Sequence, residues 1–219
     1  TWHATSEQEE GEIRRVIGRG AKIVKVSNLP KKINSHAAKI KSVGRLEACF
    51  ISRISEKKNL IYALEVLTKV KELNINYTIY GPIEDPVYWA KCQDLIKALP
   101  SNVCVNYGGS LSPNEIEAAY EKEHIMFLPT LNENFGHSIV ESLLCGCPVI
   151  ISDQTPWNDL EVNGAGFALP LNKSEQFTNA IVHYAKMNQE EFSKVSKDAN
   201  KYISGKIDLN TILDQYKKL

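Results

Sequence analysis

Between residues 48 and 203, short apolar runs alternate with stretches of helical periodicity, and that alternation leaves few folds open. Ala48-Cys49-Phe50-Ile51, Tyr77-Thr78-Ile79-Tyr80, Val103 to Tyr107, Ile125 to Leu128 and Val149 to Ser152 read as strands, with Gly166 to Leu169 a weaker sixth. Leu60, Ile61, Leu64, Leu67 and Val70 recur at helical spacing and mark a helix over Lys58 to Leu73. Asp85-Pro86 supplies an N-cap followed by proline at the first helical position, ahead of Trp89, Cys92, Ile96 and Leu99. Ser112 and Glu115 have the spacing of a capping box before Ile116, Ala119 and Tyr120. Further helices are expected from about Gly136 to Cys145, Ser174 to Met187, Glu190 to Ile203 and Asn210 to Leu219. This order predicts an α/β fold, a doubly wound parallel sheet of Rossmann-like form. Ligands of such sheets bind beyond the carboxyl ends of the strands, where the winding reverses.

At ~150 residues per domain, 219 residues make one domain or one and a half. Residues 1–29 do not fit the alternation. Ser6 to Ile17 reads as a helix with Glu7, Glu9 and Glu10 early and Arg14 and Arg15 late, the order the helix dipole favours, and Ile23 to Val26 as a short strand. Residues 30–46 hold Lys31, Lys32, Lys39 and Lys41 with few large apolar groups and read as a linker. The main domain is expected over 47–204, with a final helix over 205–219. Basic and acidic side chains number 26 each, so the chain lacks the basic excess of a general nucleic-acid binder. No apolar run approaches the ~18 residues of a membrane span. The five cysteines (Cys49, Cys92, Cys104, Cys145 and Cys147) are scattered through apolar segments, which suggests reduced, buried thiols and a cytoplasmic protein. Cys145-Gly146-Cys147 has no second pair or nearby histidine to complete a metal site and reads as packing.

The chemistry is concentrated in Pro129 to Glu141, just past the fourth strand. Glu133 lies in the loop and Glu141 eight residues on, in the next helix. Gly136 marks the junction, where free backbone N–H groups favour an anion such as a diphosphate. Carboxylates on either side can accept hydrogen bonds from sugar hydroxyls, so the segment suits phosphates flanked by polyols. At the end of the first strand, Arg53 and Lys58 lie five residues apart across a strand–helix turn and can face the same mouth. A guanidinium fork and an ammonium point charge there would stabilise negative charge growing on a leaving diphosphate.

The segments Phe50 to Asn59, Leu128 to Glu141 and Gly146-Cys147-Pro148-Val149-Ile150 resemble the donor half of retaining GT-B glycosyltransferases, of the large family 4 group (glycosyl transferases group 1). The family's E-x7-E signature is matched by Glu133 and Glu141. Its G-R-L-x-x-x-K-[GN] turn is matched by Arg53, Lys58 and Asn59, with Ser52 in the glycine position. His3 to Glu9 and Val26-Ser27-Asn28 resemble the end of the family's N-terminal domain. The resemblance implies that residues 1–29 are the tail of an acceptor domain and 47–204 the nucleotide-sugar domain, with 205–219 packing back toward the first. It implies that Glu133 contacts the transferred sugar and that Arg53 and Lys58 hold the diphosphate, these three being catalytic. Glu141 would bind the ribose, and Phe135, Gly136 and His137 would line the phosphates. The loops after Tyr80, at Gly81, and after Cys104 would border the base. The donor would be a UDP-, GDP- or ADP-sugar, with no other cofactor and no metal. The acceptor would be a polysaccharide or lipid-linked glycan, reached through the other domain, as would peripheral membrane association at the inner face.

Other readings stay open on the residues alone. His137 can serve as proton donor, as phosphate ligand, or through its backbone only. Asp153 fits a loop cap or the border of a site, and Trp157 packs or stacks on a ligand. His3, His36, His124 and His183 read as structural or solvated. A nucleotide-sugar epimerase of similar two-domain shape and a non-catalytic sensor of nucleotides are the alternatives.

Overall fold

The computed structural model describes residues 1–4, 7–25 and 38–207. Two compact units divide the chain, 1–32 with 204–219 and 33–203. In the first, β1 (Trp2–Ala4) and β2 (Ile23–Lys25) pair in parallel around α1 (Glu7–Ile17). The expected acidic-to-basic order of α1 is used within the helix, where Arg14 pairs with Glu10 one turn earlier at 2.8 Å. β1 was not foreseen: three residues carry no usable periodicity. Val26, the Ser27-Asn28 motif, His36 and the helix expected at Asn210 to Leu219 lie outside the described residues.

The second unit runs β3 (Arg45–Ile51), α2 (Leu60–Leu67), β4 (Asn74–Tyr80), α3 (Pro86–Lys97), β5 (Val103–Gly109), α4 (Ile116–Glu121), β6 (Ile125–Leu128), α5 (His137–Leu144), β7 (Val149–Ser152), β8 (Gly166–Leu169), α6 (Ser174–Lys186) and α7 (Gln189–Lys206). The six strands form one all-parallel sheet in the order β5-β4-β3-β6-β7-β8. This is the doubly wound Rossmann order, and the winding reverses between β3 and β6. β6 and β7 are buried at every position, which is why continuous apolar runs encode them. Phe50, Tyr77, Phe127 and Phe177 fill the core between sheet and helices. Burial of each such side chain contributes about 1.5–3 kcal/mol. The Tyr77 hydroxyl satisfies itself by donating to the Phe127 carbonyl at 2.9 Å. Among the described residues, no helix is long and apolar enough to cross a membrane.

Three local expectations need correction. The helix expected to reach Leu73 stops at Leu67. Val70 and Leu73 are buried from a loop instead, their carbonyls accepting from Asn102 Nδ2 at 3.2 and 2.8 Å, while Glu72 turns the chain at φ +61°. The Ser112–Glu115 box forms in part: Glu115 accepts from the Ser112 amide at 2.8 Å, but regular helix begins only at Ile116. The segment read as a linker to residue 46 already enters β3 at Arg45, and its two described lysines, Lys39 and Lys41, are buried. Lys39 Nζ donates to the Tyr120 and Glu123 carbonyls and to Cys147 Sγ. Lys41 Nζ donates to the Ser42, Arg45, Ala185 and Met187 carbonyls, and burial lowers its pKa. Each lysine thereby serves the carboxyl end of a helix, α4 for Lys39 and α6 for Lys41, where free carbonyls and the dipole favour a cation.

Candidate functional site

The turn after β3 and the loop after β6 meet where the sheet's winding reverses. They are stitched by their backbones before any charge is considered. Leu131 N donates to Lys57 O at 2.8 Å, Thr130 Oγ1 to the same carbonyl at 3.1 Å, and Asn59 Nδ2 to Pro129 O at 3.0 Å. Asn59 caps the turn in the left-handed region at φ +58°, which glycine and asparagine tolerate best. That conformation explains why this position of the motif takes only those two residues. Over the stitched loops, Lys58 Nζ donates to Glu133 Oε2. Both side chains are largely withdrawn from water, at 10% and 17% exposure. Two residues singled out separately in the sequence are therefore one ion pair at the switch point.

The Glu133 backbone is held as well, its amide donating to the Gln154 carbonyl at 3.0 Å. Gly136 follows at φ +80° and opens α5. A Cβ there would stand 2.7 Å from Ile139 Cδ1 and 3.1 Å from Glu133 Cγ, so the glycine lets the loop fold tightly against the helix start. His137 is the first residue of α5 and its ring meets Phe135 edge-on at 5.0 Å. Partial desolvation lowers its pKa, against the opposing charge of Glu133, so the imidazole is neutral at pH 7. Trp157 packs: it is 8% exposed, its indole N–H donates to the Phe135 carbonyl, and it meets Tyr202 edge-on at 6.5 Å. Glu141 lies one turn into α5, half-buried. Asp153 accepts from the side-chain Nε2 of neighbouring Gln154 at 2.6 Å, just past the end of β7.

On the other side of β3, Arg53 reaches not toward Lys58 but to Glu84, at 2.6 Å. Gly81 follows β4 at φ +141°, buried, with the Ser52 carbonyl oxygen 1.9 Å from where a Cβ would stand. Only glycine lets the ends of β3 and β4 approach this closely. A cleft of about 160 Å³ lies there, lined by Ser52, Arg53, Tyr80, Gly81, Pro82 and Leu111. A wider groove of about 410 Å³ beside His183 and Lys194 is formed between the carboxyl end of α6 and α7, away from these residues.

Cys104 is not brought into the site. β5 continues to Gly109, so Cys104 sits near the strand's amino end, exposed, opposite Asn76 in the register. At about 3.3 Å per residue it is roughly 16 Å from the strand end that faces the site. The strand expected over Val103 to Tyr107 continues through Gly108 and Gly109, whose backbone extends the ladder to Tyr80. Cys104 also breaks the expectation of buried thiols, which holds for the other four cysteines. His124 is structural: its Nδ1 accepts from Glu47 N at 2.9 Å and its Nε2 faces Ile40 O at 2.8 Å. Among the described residues, no three His, Cys, Asp or Glu side chains converge at metal-binding spacing. Glu84 was missed because its link to Arg53 spans 31 residues and no local pattern marks it.

The geometry thus offers two cations at the carboxyl end of β3, each held by a carboxylate of the chain, Lys58 by Glu133 and Arg53 by Glu84, with the start of α5 following the Glu133 loop. WcaL of Escherichia coli K12, whose name places it among colanic acid biosynthesis glycosyltransferases, is 22% identical over 169 residues, 72% of this chain and 40% of its own. The structure of Staphylococcus aureus TarM with UDP, fondaparinux and α-GlcNAc-glycerol superposes with a TM-score of 0.79 at 19% identity, covering 99% of this chain and 43% of that one. Anabaena HepE with UDP-glucose gives 0.76 at 18%, covering 99% and 62%. The chain therefore spans well under two thirds of the length of its first curated relatives. The sequence pattern of the glycosyl transferases group 1 matches residues 31–202, more than half of the chain. On that match, the chain belongs to the glycosyl transferases group 1 family.

Proposed function

We propose that this chain is the donor-binding part of a retaining glycosyltransferase. It holds a nucleoside diphosphate sugar so that a hexose-type unit can pass to a polysaccharide or lipid-linked glycan with its anomeric configuration kept. The observation that carries the reading is the Lys58–Glu133 pair, fixed on stitched loops at the switch point beside the start of α5. The UDP and UDP-glucose bound in the TarM and HepE structures support it by analogy of fold.

In this reading the diphosphate lies across the α5 start and takes Lys58 and Arg53 as counter-charges. Negative charge grows on the leaving diphosphate, and cations and amides already in place stabilise it without reorganisation. Glu133, released from Lys58, turns to hydroxyls of the transferred sugar. Glu141, one turn along the same helix, takes the ribose. Neutral His137 can donate to a phosphate oxygen. The chain's own cations supply the charge that other transferases draw from a metal, so transfer should survive chelation. Acceptor contacts and any peripheral membrane association fall to residues beyond the donor unit, in a cytoplasmic protein.

The test is transfer by the full-length protein from UDP-, GDP- and ADP-sugars to glycan acceptors, with the product anomer read by NMR. A product of retained configuration is expected. Inversion would overturn the retaining assignment, and binding of donor with no transfer to any glycan would favour the non-catalytic sensor.

A further inference from the structure

The donor site as drawn above has a carboxylate that no motif includes. Arg53 and Glu84 stand on two turns, one after β3 and one after β4, which are zipped together backbone to backbone. Ser52 N donates to Tyr80 O at 3.1 Å, Ile54 N to Pro82 O at 2.9 Å and Glu84 N to Ile54 O at 3.2 Å, and Ile54 and Ile83 form a parallel bridge. Gly81 makes the approach possible by leaving room for the Ser52 carbonyl. Ile54 is fully buried, so the zipper is anchored in the core rather than drifting in solvent. The Arg53–Glu84 contact is thus placed by the backbone. Both side chains remain open to water, 58% and 45% exposed, at the rim of the small cleft between the strand ends.

A guanidinium carries a single positive charge over five N–H donors, and Glu84 takes one of them through Nη1. While Glu84 occupies one of its N–H groups, an incoming phosphate must displace that carboxylate or share the guanidinium with it. Sharing places two anions side by side, which is unfavourable. We infer that Glu84 is a specificity-determining residue of the donor site: it competes with the diphosphate for Arg53 and lowers affinity for nucleoside diphosphates. Its benefit is exclusion. An arginine already neutralised rejects weak or singly charged anions, and only a ligand that also engages Lys58 and the α5 start displaces it. The inference rests on the donor-binding reading of the site.

The experiment is calorimetric titration of UDP, GDP and ADP into the wild-type chain, Glu84→Gln and Glu56→Gln. Glu56 is an exposed carboxylate on the neighbouring turn and controls for net charge. An exposed ion pair has a median worth of 0–1 kcal/mol, so Glu84→Gln should tighten the preferred nucleotide by about two- to fivefold. Glu56→Gln should change it by less than half of that on a logarithmic scale. Unchanged or weaker binding in Glu84→Gln would overturn the inference, the latter showing that Glu84 instead positions Arg53 for the phosphate. Equal tightening in both variants would overturn it in favour of a diffuse field effect. If the wild type binds none of the three, the donor-binding reading itself fails, an outcome distinct from binding without a Glu84 effect.

Discussion

Breaking the Lys58–Glu133 pair should reveal both what it contributes to the fold and what replaces it when a ligand binds. The two side chains are 10% and 17% exposed, between a surface pair and a sealed one. Removing one partner of a fully buried pair costs about 3–5 kcal/mol, and loss of a hydrogen bond to a charged group about 1.5–3 kcal/mol. Glu133→Gln and Lys58→Met should therefore each destabilise by about 2 kcal/mol, the first because it leaves an ammonium without its counter-charge. For a unit of this size that lowers Tm by about 4–8 °C. The double variant leaves no orphan charge, so it should cost about as much as one single variant, a coupling of about 1–2 kcal/mol. Thermal and urea denaturation followed by circular dichroism give all four corners of the cycle. Additivity within about 0.5 kcal/mol would refute the pair as a structural unit. A saturating nucleoside diphosphate should then restore more Tm to Glu133→Gln than to wild type, because it gives Lys58 a new partner.

Four further outcomes are expected. Gly81→Ala places a methyl against the Ser52 carbonyl in a backbone region closed to alanine, and should cost at least about 3 kcal/mol while weakening nucleotide binding; a Tm within 2 °C of wild type, roughly one kcal/mol, would contradict this. Glu141→Ala should leave the fold intact by circular dichroism but weaken nucleotide-sugar binding by about tenfold or more, the worth of hydrogen bonds to a carboxylate. Glu123 is buried with Oε2 unpartnered, and burial raises its pKa to about 8. Its folded pKa lies above its unfolded value, so stability is full in acid and declines from about pH 4.5 to about pH 8 as only the unfolded chain ionises. Glu123→Gln should gain Tm over wild type at pH 8 and lose that advantage near pH 5; parallel pH profiles would count against the buried carboxyl. Finally, the chain of residues 1–219 alone should bind donor weakly and transfer nothing, and turnover with an acceptor sugar would contradict that.

The sheet was legible where burial on both faces forces uninterrupted apolar runs: Ile125–Leu128 and Val149–Ser152 have the bounds expected of them, as does the half-buried edge strand Gly166–Leu169. It was less legible at the start of β3 and the end of β5, where polar Arg45 and Glu47, and Gly109 with no side chain, join the ladder through their backbones. The Asp85 cap was readable because capping is local chemistry, and its side chain accepts from Val87 and Tyr88 amides. The lysines at 39 and 41 were not, since their partners are carbonyls up to 146 residues away. The site divides the same way. The motifs bearing Arg53, Lys58, Glu133 and Glu141 stand in the sequence, but the pairing of each cation does not. It depends on which strands become neighbours, and Arg53 meets Glu84 only because β3 lies beside β4.

The most direct test of donor binding is titration of the chain with UDP, GDP and ADP forms of common sugars. At least one should bind, with affinity falling in Glu141→Ala and Lys58→Met. No binding of any of them at millimolar concentration would contradict the assignment of this site.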